Sequence, residues 1–333
     1  MLGQLQKRGP VWWLLVCAGL LVTLVSSYFV VKDVRWNEVG DALATSNLLW
    51  LGPALAALAV GVFLRAVRWR TLYASERRPP LRATFEALLV GYLFNTLLPV
   101  RAGEAARIVA LHRRAGISRA ESAGTVMVER VYDVASLLVL LFAALPWLPE
   151  VSWLLGAGVL GALLALGLVA AVVLLAVFGD EVLLPLARPL GRLPFIAAGT
   201  PERLARNLAR GLSGLRRTRA AAAAFGWTTA SWLVIALSCW LVTIGFDLEL
   251  APVAGLLVTI AIGLAMILPS SPGAVGVFEG ATVVALGAYD VSDSRALSFA
   301  LVLHLLNFVP FVVAGLWALR ATTSGSRPRP EAA

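Results

Sequence analysis

The chain has 333 residues, of which 59% are hydrophobic and 14% charged, and its mean hydropathy is +0.84. A soluble domain of this length is far less apolar, so the composition excludes a water-soluble globular protein and defines a polytopic membrane protein. The net charge of +9 sits largely in short connections between apolar runs, which counts against nucleic acid as the partner and makes the arginines an orientation signal first.

Runs near the roughly 20 residues that cross a hydrocarbon core mark six full spans. Val11 to Val31 follows Lys7 and Arg8 but is longer than a signal-peptide core and has no small-residue cleavage site after it, so it reads as an uncleaved first span. Leu48 to Leu64 is the second, followed by Arg65 to Ala83, a loop with six arginines. The next apolar segment carries Asn95, breaks at Leu98-Pro99 and resumes through Arg101, Gly103, Glu104 and Arg107. Full spans at Ser122 to Leu145 and Trp153 to Phe178 come next, the first with Glu129, Arg130 and Asp133 about two turns in.

From Pro201, Leu204, Leu208, Leu212 and Leu215 recur at helical spacing in an arginine-rich stretch, Asp180 to Arg219. This reads as a basic amphipathic helix on the inner membrane face or as a solvated linker helix. Ala221 to Phe246 is the fifth span. A second broken segment then stops at Leu268-Pro269, passes Ser270, Ser271, Pro272 and Gly273, and resumes through Gly276 and Glu279. Ala296 to Leu319 is the sixth span, and 321–333 reads as a disordered tail.

The positive-inside rule places Arg65 to Ala83, Arg101 to Arg119, Gly179 to Ala220 and both termini in the cytoplasm, and the acidic connections around Glu150, Asp247 and Asp290 outside. That assignment closes only if each broken segment enters and leaves on one side. The fold expected is therefore all-α integral membrane: six full spans plus two re-entrant helical hairpins in an inverted-topology repeat, as one domain over 1–320. Its half-repeats are 47–146 and 221–320, joined by the span 153–178 and the linker 179–220. The competing reading makes 83–99 and 252–268 ordinary short spans.

Broken backbone at membrane depth is tolerated where protein or a water-filled cavity surrounds it, and paired breaks point to a transport site. After each break a helix N-terminus should lie near the bilayer middle, an end suited to anions and phosphate above all. Gly103, Gly273 and Gly276 sit in these turns, Ser270 and Ser271 are plausible caps, and Arg101 offers a guanidinium fork. The alternative is capped helix ends packed on neighbours, with Arg101 at the headgroups. Glu104 and Glu279 are candidate proton carriers or partners of a cationic headgroup, since a carboxylate at that depth is costly unless paired or wet. Glu129, Arg130 and Asp133 form an almost neutral cluster that needs a further arginine such as Arg101 or Arg107, or a protonated carboxylate, and either serves the site or locks hairpin to span. His304 and Asn307 read as an interhelical hydrogen-bonding pair rather than a proton relay. Cys17 and Cys239 read as packing residues, and Trp12, Trp13, Trp50, Trp69, Trp147, Trp153 and Trp317 as interfacial anchors. No nucleotide loop, metal-spaced His/Cys set or nucleophile elbow occurs, so no cofactor or metal is expected.

At Asn95, Pro99, Arg101, Gly103, Glu104 and Arg107, then Glu129, Arg130 and Asp133, then Pro269, Pro272, Gly273, Gly276, Phe278 and Glu279, the chain resembles the lysylphosphatidylglycerol synthase transmembrane (flippase-like) family, over about residues 10 to 320. Ala274 stands where that family commonly has a second glycine. The resemblance implies lipid translocation across the cytoplasmic membrane, with the motif residues lining a central site. No soluble aminoacyl-transfer domain follows, so lysyl transfer is not implied.

The expected function is thus a non-enzymatic flippase or transporter of the bacterial cytoplasmic membrane, moving a phospholipid or a polyprenyl-phosphate-linked lipid. The expected partners are lipids with phosphate-bearing headgroups. An intramembrane transferase on a lipid-linked substrate, or a scaffold for a separately encoded transferase, are the alternatives.

Overall fold

The computed structural model describes residues 35–98, 102–149, 218–266 and 272–324, with isolated positions at 28 and between 156 and 185. The spans expected at 11–31 and 153–178, the linker helix around 204–215, and Pro99, Arg101, Pro269, Ser270 and Ser271 lie outside the described residues.

Among the described residues every regular element is helical: α1 (Trp36–Thr45), α2 (Leu51–Thr71), α3 (Leu81–Leu97), α4 (Gly103–Ala115), α5 (Arg119–Ala144), α6 (Thr218–Gly245), α7 (Pro252–Ala265), α8 (Val277–Gly287) and α9 (Asp293–Ser324). The last of these carries helix into the stretch expected to be disordered. Leu48–Thr71, Arg219–Gly245 and Asp293–Ala321 are long and apolar enough to cross a membrane by length and composition. At 26 residues α5 is also long enough, but it carries Glu121, Glu129, Arg130 and Asp133. Its polar groups from Glu121 on, Arg130 excepted, are buried, while the faces turned away from the bundle stay apolar, as at Val60, Val139 and Val313. That inside-out polarity belongs to an integral membrane protein.

The breaks fall where chain chemistry forces them. A residue before proline avoids the helical region, and Leu98 ends α3 with an extended backbone at ψ 145°. Helices α4, α7 and α8, of 13, 14 and 11 residues, reach about 16–21 Å at about 1.5 Å per residue, short of the roughly 30 Å hydrocarbon core. Each is half of a hairpin: α3 packs on α4, and α7 on α8.

The two hairpins open at opposite ends of the bundle. At the arginine-rich end Arg114 meets Glu86 at 2.6 Å, Arg82 meets the same carboxylate at 3.0 Å, and Arg77 lies 3.8 Å from Glu121 at the start of α5. At the acidic end Arg295 donates to the carbonyls of Phe246 (3.2 Å) and Asp247 (3.1 Å), and the Asn47 amide donates to Gly245 at 2.7 Å. Packing also repeats between halves: α2 pairs with α6, α3 with α9 as α7 with α5, and α2 with α3 as α6 with α7.

One correction concerns the second span. It was expected to end at Leu64 with Arg65 onward in a loop, but α2 continues through Thr71 and holds Arg65, Arg68 and Arg70 in its last turns. Carboxylates on α5 neutralise Arg68, and a charge with partners no longer ends a buried helix.

Gly103 and Gly91 set how closely the first hairpin closes. A Cβ on Gly103 would fall 1.9 Å from the Gly91 carbonyl and 2.5 Å from Asn95 Oδ1. The obstacle is backbone, so it does not yield by rotamer change. Gly103→Ala is expected to destabilise the protein by about 1–3 kcal/mol or more, read as a lower melting temperature in detergent, while Gly116→Ala, with nothing within 4 Å but a φ of 67°, costs only about 1 kcal/mol.

Candidate functional site

Described residues flanking the two breaks, Leu98 before the first and Gly273 and Ala274 after the second, line one cavity of about 530 Å³. It is walled by α2, α3, α5, α6, α7 and α9, with Gly273 and Ala274 from the second tip and Glu104 and Arg107 from the arm after the first. Its lining combines aromatic side chains, Tyr92, Trp232, Phe278, Phe308 and Phe311, with charged ones.

The charged wall is an ion-pair network across three elements. Arg68, fully buried on α2, pairs with Glu129 and, at 2.5 Å, with Asp133. Arg107 of α4 pairs with Glu129 at 2.9 Å and lays its guanidinium over Trp69, 4.8 Å from the ring centre. Arg130 lies 3.5 Å from Glu104 and 3.6 Å from Asp133. Glu104, Glu129 and Asp133 are thus each paired, and the need for a further arginine beside Glu129 and Asp133 is met by Arg107 together with Arg68. The sequence reading missed Arg68 because it assigned that residue to a loop. The usable signal was spacing: Arg65, Arg68 and Trp69 follow a long apolar run at i, i+3 and i+4, a helix face continuing inward.

Arg65 is the second residue the sequence reading missed. Its Nε donates to Ser231 Oγ (3.2 Å), its Nη1 to the Tyr92 hydroxyl (3.4 Å), and its guanidinium stacks over Trp232 at 4.3 Å. Among the described residues no carboxylate oxygen lies within 4 Å of it, and it lines the cavity. Among the described residues, four guanidiniums (Arg65, Arg68, Arg107, Arg130) thus stand with three carboxylates (Glu104, Glu129, Asp133) at and behind the cavity wall, one cation in excess when all are ionised. Arg107 Nε and Nη2 are buried donors with no hydrogen-bond partner among the described residues. Arg65 and Arg107 thus set two guanidiniums in the cavity lining, a group whose fork geometry suits an oxyanion.

Of the residues singled out from sequence, Asn95, Glu104, Arg107, Glu129, Arg130, Asp133 and Gly273 line this cavity, whereas Gly103, Gly276 and Glu279 stand behind its surface. The free helix N-termini expected there are modified by protein partners. The Gly103 amide donates to Asn95 Oδ1 at 2.9 Å, and the Gly276 amide to Glu279 Oε2 at 2.6 Å. The role of Gly103 is the close approach to Gly91. His304 makes the interhelical hydrogen bonds expected of it, to Glu279 and to the Gly273 carbonyl in the second hairpin, whereas Asn307 departs from expectation and donates to the Leu303 carbonyl of its own helix. Trp69 is buried and donates to Thr125 Oγ1 at 3.0 Å, so it is a core residue and not an interfacial anchor; Trp147 and Trp317 are exposed. Cys239 is buried, free and on the cavity wall.

Fold and site together define an all-α integral membrane protein with a charged intramembrane cavity between two oppositely opening hairpins. The chain belongs to the family of the lysylphosphatidylglycerol synthase TM region, whose model matches residues 16–315. It is also similar to Glycosyltransferase AglD of Haloferax volcanii, 26% identical over 341 residues, which takes in 91% of this chain and 54% of that protein. The chain thus spans about half the length of the curated relative it matches.

Proposed function

We propose that this chain is a lipid flippase or transporter that moves a phosphate-bearing lipid, either a phospholipid or a polyprenyl-phosphate-linked lipid, between the leaflets of a bacterial cytoplasmic membrane without catalysing a reaction. The observation that carries this reading is the shared cavity: residues flanking both hairpin breaks, an arginine with no carboxylate partner among the described residues, and aromatic side chains converge on one pocket of mixed charged and apolar lining within an apolar bundle. A headgroup phosphate suits the guanidiniums of the lining, and acyl or prenyl chains suit its aromatic side chains and the apolar outer faces. Hairpins opening at opposite ends support an inverted repeat, in which rocking one half against the other exposes the cavity to each side in turn. With the arginine-rich end cytoplasmic, both termini lie inside.

Vesicles containing the purified protein and a trace of fluorescent phosphatidylglycerol test this directly. Label exchange between leaflets should exceed that of protein-free vesicles. Equal rates for fluorescent phosphatidylglycerol and for a polyprenyl phosphate, with and without protein, would refute the reading.

A second reading draws on the relative named a glycosyltransferase: the membrane half receives a lipid-linked substrate for group transfer, either by its own carboxylates or by a separate transferase docked to it. It predicts product formation in detergent, where there are no leaflets to exchange between. The pairing of Glu104, Glu129 and Asp133 with arginines favours transport, because a carboxylate held by guanidiniums is a poor general base.

A further inference from the structure

His304 of α9 stands between two acceptors. Its Nδ1 lies 2.5 Å from Glu279 Oε1, and its Nε2 lies 2.9 Å from the carbonyl oxygen of Gly273 in the tip of the second hairpin. The ring is stacked on Phe278 (centroids 4.5 Å, 21° between planes) and abuts Phe308 edge-on at 6.1 Å, so its orientation is fixed. The other oxygen of Glu279 accepts the Gly276 amide at 2.6 Å.

A neutral imidazole has one N–H, and a backbone carbonyl has no proton to give. With His304 neutral and Glu279 ionised, one of the two contacts would set lone pair against lone pair. Both are satisfied only when the pair carries one additional proton, as imidazolium beside carboxylate, or as an Nε2–H imidazole beside a carboxylic acid that donates to Nδ1.

We propose that His304 and Glu279 form a proton-binding site, and that the bound proton fastens the tip of the second hairpin to α9. Its loss sets a lone pair against either Glu279 or the Gly273 carbonyl, and the contact to the neutral carbonyl is the weaker one to keep. The tip then comes away from α9. Gly273 and Ala274 are themselves cavity wall, so the proton controls the shape of the site. The tip is already under strain, with Ala274 at φ 57° beside Gly273 at 69° and Gly276 at 81°.

The titratable and charged groups packed around α9 are few. Glu279 of α8 is the partner. Tyr92 of α3, Arg65 of α2, Glu104 and Arg107 of α4, Glu129, Arg130 and Asp133 of α5, and Cys239 of α6 share the cavity with His304. Glu86 of α3 is held by Arg82 and Arg114, and α1 brings Glu38 and Asp41 to the start of α9, where Ser298 meets Val39. Of these groups Glu279 alone has a hydrogen bond to the imidazole. The proton site stands on its own geometry; only its coupling to lipid movement rests on the function proposed above.

The sequence contains two histidines, His112 and His304, so nitrogen-15 histidine labelling of the full chain in lipid nanodiscs, with His112→Gln as the reference, isolates the His304 signals. Two outcomes support the proposal at neutral pH: both ring nitrogens protonated, or Nε2–H together with a protonated Glu279 in the infrared spectrum. A neutral His304 beside an ionised Glu279 across the neutral range overturns it. In Glu279→Gln the amide donates to Nδ1 without an added proton, so the neutral Nε2–H form of His304 should replace either proton-bound form.

In vesicles, a pH gradient should change the rate of fluorescent phosphatidylglycerol exchange in the wild type, and Glu279→Gln should lose that response. Exchange that ignores the gradient in the wild type overturns the coupling. If the wild type exchanges no lipid at all, the function proposed above fails instead, and the nitrogen-15 spectrum still decides whether the proton is bound.

Discussion

Replacing Arg68 by alanine should destabilise the protein more than any other single change in the cavity wall. Arg68 is fully buried and holds both Glu129 and Asp133. Its removal leaves Glu129 with Arg107 alone and Asp133 with only the more distant Arg130. Breaking a buried pair from one side typically costs about 3–5 kcal/mol, because the remaining charge stays desolvated. The expected result is a large drop in melting temperature in detergent, or loss of folded protein on extraction.

Charge balance predicts the repair. Arg68→Met with Asp133→Asn removes one cation and one anion, and leaves Arg107 with Glu129 and Arg130 with Glu104. That double variant should recover most of the lost stability. If Arg68→Ala melts like the wild type, the network contributes little to holding α2, α4 and α5 together.

Arg65→Ala should have the opposite profile. Its contacts are a serine hydroxyl, a tyrosine hydroxyl and an indole face, none of which becomes an uncompensated charge when the guanidinium goes. The melting temperature should therefore barely change. Lipid exchange should not survive so well. A hydrogen bond to a charged group is worth about 1.5–3 kcal/mol, so losing one contact to a headgroup phosphate slows exchange of fluorescent phosphatidylglycerol by roughly 10- to 150-fold. Arg65→Lys should fall between, since lysine keeps the charge but not the planar fork or the stacking on Trp232. Unaltered exchange by Arg65→Ala would remove this residue from the lipid path.

The same distinction separates what sequence alone made legible from what it did not. The break at Leu98-Pro99, and the one expected at Leu268-Pro269, which falls between the end of α7 at Ala265 and the start of α8 at Val277, were readable because proline acts through local backbone sterics, which need no tertiary partner. The cluster Glu129, Arg130 and Asp133 was readable for a similar reason. Ionisable groups inside an apolar run stand out by their cost in lipid, whatever surrounds them. The likeness to the family rests on such local signals, and so it was visible before any packing was known.

Arg68, Arg65 and His304 were not readable in the same way. Arginines just after an apolar run look like a cytoplasmic loop, and only α5, some 60 residues further along, supplies the carboxylates that let α2 continue past Leu64. His304 and Asn307 share a helix face at i,i+3 and read as interhelical hydrogen-bonders, but nothing local named the partner. For His304 the choice went to Glu279 and the Gly273 carbonyl, brought up by the hairpin that folds against α9. Gly103 likewise had the look of an anion contact, whereas its place was set by Gly91 on the facing helix. Chain chemistry alone determined a broken-helix membrane protein with charges at its core. Which charge meets which was decided by the tertiary structure, because a buried ion is stabilised by the groups around it in space and these come from distant parts of the chain.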